Sequence, residues 1–343
     1  MIAVDAMSGD LGPAPALDGL NRIVRQRPDL HFLIHGDEAR LAPLLARRTA
    51  LAARSDLLHC TDTVAMDTPP TEALRRGRES SMWQTLDSVA RGDAHAAVSA
   101  GNTGALMTMA TVRLRPASRT TRPAIAALWP SRNPSRYNIV LDLGADLTAD
   151  AEALVSYAIM GAEYARISLD LPRPRVALLN VGTEEIKGRP EIRAAAVQLR
   201  ALAADPDFGF DFVGNVEGDK IGGDVADVIV TDGFTGNVAL KTAEGTARLV
   251  GHFLVEAFRF SWASRIGSIF AYTSMQRLKR RIDPRRANGG VFLGLNGVIV
   301  KSHGGADSLG FAAAVDLAAR LGSGNVAGKI AKQVARQPVG GDE

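Results

Sequence analysis

Residues 227–245, DVIVTDGFTGNVALKTAEG, constrain this chain more than any other stretch. Val228, Ile229 and Val230 form a β-branched run flanked by aspartates, the pattern of a short buried strand. The run breaks at Asp232-Gly233-Phe234-Thr235-Gly236-Asn237, and Val238, Ala239, Leu240 and Lys241 then open a helical pattern. Thr235 and Asn237 are good N-cap residues, because their side-chain oxygens accept the free amides of a first turn. The glycines allow a sharp turn and close approach of a ligand. Strand, glycine-rich turn and helix N-terminus together offer unpaired N–H groups and a positive dipole to an anion such as phosphate. A tight turn in any α/β protein reads the same way, so this stretch alone does not decide.

Residues 96–106, AAVSAGNTGAL, repeat the design: strand AAVSA, turn Gly101-Asn102-Thr103-Gly104, then a helix. Parallel α/β sheets bind ligands outside the carboxyl ends of their strands, where such turns converge. One shared anion site is therefore expected.

Strand and helix patterns alternate along the whole length. Residues 2–7 and 31–36 are strands, 57–61 is a weaker one, and 72–91 is helical with a break near 77–81. Residues 124–129 and 137–142 are paired strands across a turn-rich PSRNPSR, 149–167 is an amphipathic helix, and 175–180 is a buried strand. Residues 190–204 are helical, 210–213 form a strand ending in GNVEGD, and the Asn-Gly pair within 290–301 signals a hairpin before a last helix. The alternation predicts a single α/β/α layered catalytic body over 1–330, with a tail at 331–343. A single cysteine, Cys60, excludes an internal disulfide and fits a reducing compartment. No apolar run reaches the ~18 residues of a membrane span, and no secretory leader is expected. The six histidines are scattered, so no metal is expected, and the absent GxGxxG fingerprint disfavours a nicotinamide cofactor. No cofactor of any kind is expected, and no nucleic-acid partner.

Residues 248–288 break the pattern. Phe253, Phe258, Phe260, Trp262, Phe270 and Tyr272 crowd into a stretch whose one acid before residue 276 is Glu256. Arg277, Lys279, Arg280, Arg281, Arg285 and Arg286 follow. Such a basic amphipathic segment suits a membrane interface, and it equally suits a helix pair packed against a partner subunit.

The segments VDAMSGD, ESSM, SAGNTGAL, LDLGAD, LLNVGTEEIKG, GNVEGD, DVIVTDGFTGNVALKTAEG and KSHGGAD, in that order, span residues 4–307. Together they resemble the bacterial phosphate acyltransferases that make acyl phosphate from acyl-acyl carrier protein at the start of phospholipid synthesis. Ser8 stands where that family usually has glycine, and Asp146 where it usually has asparagine. The resemblance implies a Rossmann-like fold akin to the isocitrate and isopropylmalate dehydrogenases, a homodimer, and a cytoplasmic protein attached peripherally to the inner face of the plasma membrane.

Phosphate attack on a thioester needs neither a strong base nor a covalent nucleophile, since a thiol with a pKa near ~8.5 leaves readily. Positioning and charge stabilisation carry such a reaction. Asn102, Thr103, Gly104, Thr235 and Gly236 are the candidates to hold phosphate, with Asn215 and Asp232 completing the cradle. Lys187, on a glycine-flanked loop, is the leading catalytic cation, with Asn237, Lys301 and His303 beside it. Arg277, Lys279, Arg280, Arg281 and Arg285 suit docking of an acidic carrier protein, and Phe258, Trp262 and Phe270 suit lipid contact. A phosphotransacetylase-like enzyme using coenzyme A, a dehydrogenase and a non-catalytic membrane-recruited scaffold are the competing readings.

Overall fold

The computed structural model of the chain describes residues 1–117, 122–282 and 289–337, leaving aside the side chains of 279–282. Its strands are β1 (Ile2–Asp5), β2 (Phe32–Gly36), β3 (Ser55–His59), β4 (Ala96–Ser99), β5 (Ala124–Pro130) and β6 (Tyr137–Leu141). They continue as β7 (Arg175–Leu179), β8 (Asp211–Val216), β9 (Val228–Val230), β10 (Gly290–Leu293) and β11 (Val298–Lys301). The helices of the first half are α1 (Pro13–Gln26), α2 (Glu38–Ala46), α3 (Thr49–Ala52), α4 (Pro70–Arg76), α5 (Ser81–Ala90) and α6 (Thr103–Leu114). Those of the second are α7 (Ala151–Ser168), α8 (Pro190–Ala204), α9 (Gly233–Arg259), α10 (Trp262–Ile282), α11 (Ser308–Ser323) and α12 (Val326–Val334).

Among the described residues the strands make one 11-stranded sheet in the order β3-β2-β1-β4-β11-β10-β5-β6-β9-β7-β8. Side chains alternate across it: Ile2 and Val4 enter one core with Leu17, Tyr157, Leu199 and Phe311, while Ala3 enters the other with Met82, Leu86, Leu106 and Ile229. Both faces are covered, so the strands are short continuous apolar runs rather than polar–apolar alternations. The result is the three-layer α/β/α body the alternation predicts.

The sheet is not parallel throughout. β3, β2, β1, β4 and β11 run together, β10 opposes β11, and β5 opposes β10. β6 turns back antiparallel on β5, and β9, β7 and β8 follow β6 in parallel. The two halves therefore point their carboxyl ends in opposite senses. The predicted hairpin of 290–301 is β10–β11, and it is one of the three antiparallel pairings that make this reversal.

The first turn of α9 is pressed onto the end of β6. A Cβ on Gly236 would stand 1.9 Å from the carbonyl oxygen of Asp142, and one on Gly233 2.6 Å from Asp142 Oδ2. Farther along the same helix, a Cβ on Gly245 would meet nothing within 4 Å. Gly236→Ala is expected to cost roughly 3 kcal/mol, the upper range for overpacking. Gly245→Ala is expected to gain about 0.5–1 kcal/mol from helix propensity. Urea titration of the two variants checks this, and equal effects would sink the packing argument.

His35, buried on β2, has its Nε2 3.0 Å from Ser88 Oγ on α5, while Nδ1 has no hydrogen-bond partner. Burial, then the charge of Arg91, pushes its pKa from 6.5 down to about 4, against the pull of Asp87. The folded state resists a proton that the unfolded chain accepts. Its contribution is whole above pH 6.5 and is lost as pH falls toward 4, at up to about 1.4 kcal/mol per unit. His35→Gln is expected to flatten the acid limb of a stability–pH curve in that window, and an unchanged slope would remove His35 from the account.

Candidate active site

The carboxyl ends of β6, β9, β7 and β8 stand side by side. Asp142, buried at the end of β6, accepts the backbone N–H groups of Ile125 at 2.8 Å, Gly144 at 3.2 Å, Ala145 at 2.9 Å and Asp146 at 2.6 Å. Burial pushes its carboxyl pKa upward, and those four amides pull it back. Asp232 caps α9: it accepts Thr235 N at 2.9 Å and Thr235 Oγ1 at 2.9 Å, and it pairs with Arg189. Asn237 sits one turn into α9 with its Cβ 3.6 Å from the position a Gly144 Cβ would take.

Lys187 lies on the loop leaving β7. Asn180 fixes the base of that loop, its Nδ2 donating to Lys187 O at 3.0 Å and its Oδ1 accepting Val181 N at 2.9 Å. Gly188 is required there, with φ +89° and room for a Cβ only 2.1 Å from Asn180 Oδ1. The Lys187 ammonium is half exposed, 2.7 Å from Glu184 Oε1. Glu184 holds the Lys187 pKa above its ordinary value, so this cation stays charged. Asp146 is paired with Arg122 at 3.1 Å and accepts Tyr157 Oη at 3.0 Å. The extra negative charge it brings relative to asparagine is thereby offset by a neighbouring guanidinium.

A second polar cluster occupies the carboxyl ends of β1, β4 and β11. Asp5 accepts Ser81 Oγ and Ser99 Oγ, each at 2.7 Å. Asn102 caps α6 by accepting Ala105 N at 3.0 Å, and its Nδ2 donates to Met66 O at 2.7 Å. Thr103 and Gly104 form the first turn behind it. Lys301 donates to Ala100 O at 3.4 Å and to Ser302 O. Burial pushes its pKa down to about 8, resisted by Asp10 and Asp5 and aided by Lys241 of α9. His303 Nδ1 accepts Gly305 N at 3.1 Å.

Several sequence expectations are corrected. The two glycine turns leave strands that run in opposite senses, not in the common sense of an all-parallel sheet. Thr235, Gly236, Asn237, Asp232 and Lys187 gather in one cluster, and Asn102, Thr103, Gly104, Lys301 and His303 in the other. Lys241, coupled electrostatically to Lys301, links α9 to the second cluster. The cap of α9 is Asp232, with Thr235 and Asn237 inside the helix, because the aspartate reaches the Thr235 amide first. Asn215 is not in a turn: a register shift opposite Val176–Leu178 absorbs Gly214 at φ +90°, and β8 continues to Val216. Arg189 and Arg122, which the motif reading passed over, pair with Asp232 and Asp146. Arg189 follows the KG of the Lys187 loop directly, and that adjacency was the available signal.

α9 and α10 pack on each other as a helical hairpin around the residues singled out for lipid contact. Phe260, Trp262 and Phe270 are 90%, 76% and 84% exposed, whereas Phe258 is half-buried. Of the basic tract, Arg277 lies on α10; the side chains of Lys279, Arg280 and Arg281, and all of Arg285, lie outside the described residues. Among the described residues no helix is long and apolar enough to cross a membrane.

Comparison with known proteins places this geometry. Residues 1–329 match the family described as fatty acid synthesis protein. A phosphate acyltransferase of Jannaschia sp. (strain CCS1) is 54% identical over 338 residues, covering 98% of this chain and 92% of that one. A phosphate acyltransferase of Rhodobacter capsulatus is 52% identical over 343 residues, covering 100% of this chain and 85% of that one. Among solved structures, a phosphotransacetylase from Streptococcus pyogenes has a TM-score of 0.61 at 16% identity, with 94% of each chain covered. The EutD phosphotransacetylase from Staphylococcus aureus has a TM-score of 0.58 at 15% identity, with 92% and 93% covered, and both likenesses concern the fold alone. With a family match over nearly its whole length and relatives above half identity, the chain belongs to the fatty acid synthesis protein family and is an acyltransferase.

Proposed function

We propose that the chain transfers a fatty acyl group from acyl-acyl carrier protein to inorganic phosphate, releasing the carrier thiol and giving acyl phosphate for glycerophospholipid synthesis. The observation that carries this reading is the N-terminus of α9, capped by Asp232, in the same row of loops as the charged Lys187 and the Arg189 guanidinium. Helix amides and two cations suit a phosphate dianion. In the forward step a phosphate oxygen attacks the thioester carbon, the carbonyl electrons move onto oxygen, and their return breaks the C–S bond. The leaving thiolate then takes a proton from water.

In this reading Thr235, Gly236 and Asn237 hold the phosphate, and Lys187, released from Glu184, offsets the oxyanion. Asp232 and Asp142 order the loops. Lys301, His303 and the Asn102 turn belong to the second cluster, at the carboxyl ends of β4 and β11. No enzyme nucleophile is needed, and Cys60 is a poor one: burial, then Asp5, pushes its thiol pKa up to about 11.

The relatives' names stop at acyl and phosphate; the acyl carrier protein and the product enter here through the thioester chemistry. A second copy of the chain and the cytoplasmic membrane face are proposed to cover the apolar flank of α9 and the tip of its hairpin. Leu249, Val250 and Phe253 on that flank are each about half exposed. Patches of this kind mark interaction surfaces.

Purified protein given acyl carrier thioester and phosphate is expected to form acyl phosphate with one thiol released per turnover. Thiol release that does not depend on phosphate would end this reading. Lys187→Ala is expected to lower kcat by about 10²–10³, the usual loss for one oxyanion-stabilising donor. Cys60→Ala is expected to retain the full rate, so its inactivity in a folded variant would call for a covalent route. Flotation with anionic liposomes is expected to weaken at least several-fold in a Trp262→Ser, Phe270→Ser variant. Unchanged flotation would assign the hairpin to the partner subunit.

A further inference from the structure

A groove of about 870 Å³ runs along the outer edge of the sheet between α8 and β8. That volume falls within the ~300–1,000 Å³ of small-molecule sites. Ile186, Val197, Phe212 and Val213 give it apolar walls, and Ile186 and Val197 are 84% and 67% exposed. Arg193 and Arg200 stand on its rim. Arg193 donates to the carbonyls of Ile186 and Gly188, and Arg200 is 2.6 Å from Glu185.

Three features ask for a ligand carrying amide groups. Among the described residues β8 ends the strand order, so the outer row of its backbone N–H and C=O groups meets no neighbouring strand there, and extended ligands with amides add to such an edge. Gly214 opens that edge further, since a Cβ there would meet nothing within 4 Å. Asn215 lines the groove, and among the described residues its Oδ1, buried just behind that wall, has no donor, a deficit that an N–H brought in by a side-chain turn would remove and a hydrocarbon would not. The groove also leads to the site. It ends at Thr183, next to Gly182, whose Cβ would lie 3.2 Å from Lys187 Nζ.

We propose that this groove holds the pantetheine arm of the thioester donor, its amides pairing with the free edge of β8 and with Asn215, and its sulfur end delivered to the Lys187 loop. The assignment rests on the thioester reading above and adds where the donor lies. The apolar walls accommodate the dimethyl carbon of the arm, while a bare fatty chain would leave the strand edge and Asn215 unsatisfied.

The test uses the full chain and a pantetheine probe bearing a diazirine, with crosslinks located by peptide mass spectrometry. Labelling is expected within residues 183–215 and is expected to fall at least tenfold in Val197→Trp, an exposed position where the indole fills the groove without disturbing the core. Asn215→Leu, close in shape, is expected to raise the donor KM about tenfold with kcat little changed, whereas a purely structural asparagine would leave KM alone. Labels elsewhere, none above background, or labelling undiminished in Val197→Trp overturn the proposal, as does an unchanged KM in Asn215→Leu. Groove labelling without any acyl phosphate formation would end the proposed function and leave the groove standing. Acyl phosphate formation with labels elsewhere would do the reverse.

Discussion

The buried Asp142 carboxylate is the point on which the second half of the molecule depends. It sits at the end of β6, takes the amides of β5 and of its own following turn, and presents both its carbonyl and its side chain to the first turn of α9. A carboxylate so placed would be expensive without partners, and the surrounding amides compensate its desolvation. Because α9 can approach only where residues 233 and 236 lack a Cβ, the position of the helix N-terminus is fixed to within a fraction of a side chain. The capping aspartate, Thr235 and Asn237 inherit that precision. A phosphate pocket built on this helix end would be held by backbone packing rather than by flexible side chains.

The reversal of the sheet through β10 and β5 is the second constraint. A uniformly parallel sheet gathers its glycine turns along one rim. Here three successive antiparallel pairings put the turns on strands of opposite sense, and α9 carries Lys241 to within electrostatic reach of Lys301.

Much of the architecture was legible in the sequence. The β-branched run at 228–230, the apolar run at 176–179, the Asn-Gly hairpin and the GNTG turn each carry a local physical signal that the fold obeys. Strand direction carried none, because a buried strand reads the same either way and its sense is set by partners distant in sequence. Asn215 was misplaced for a related reason: Gly214 looks like a turn, yet a bulge opposite β7 lets the ladder run through it. Arg189 and Arg122 were invisible as site residues because a lone arginine in a loop carries no pattern until its aspartate is found beside it.

The two lysines of the clusters divide by their surroundings. Lys301 is squeezed among backbone carbonyls and buried enough that its proton is loosely held near pH 8, so its charge depends on Asp5 and Asp10 and is opposed by Lys241. Lys187 sits half in water, with Glu184 keeping it protonated across the physiological range. Stabilising an oxyanion requires a charge that is present before the reaction begins and free to turn toward it. Exposure gives Lys187 both properties, since an ion pair at the surface is weak enough to exchange for a better partner. Lys301 lacks the second: its hydrogen bonds to Ala100 and Ser302 tie it to the ends of β4 and β11. In the proposed reaction its burial suits it to organising the loops around the Asn102 turn, with the developing charge falling to Lys187.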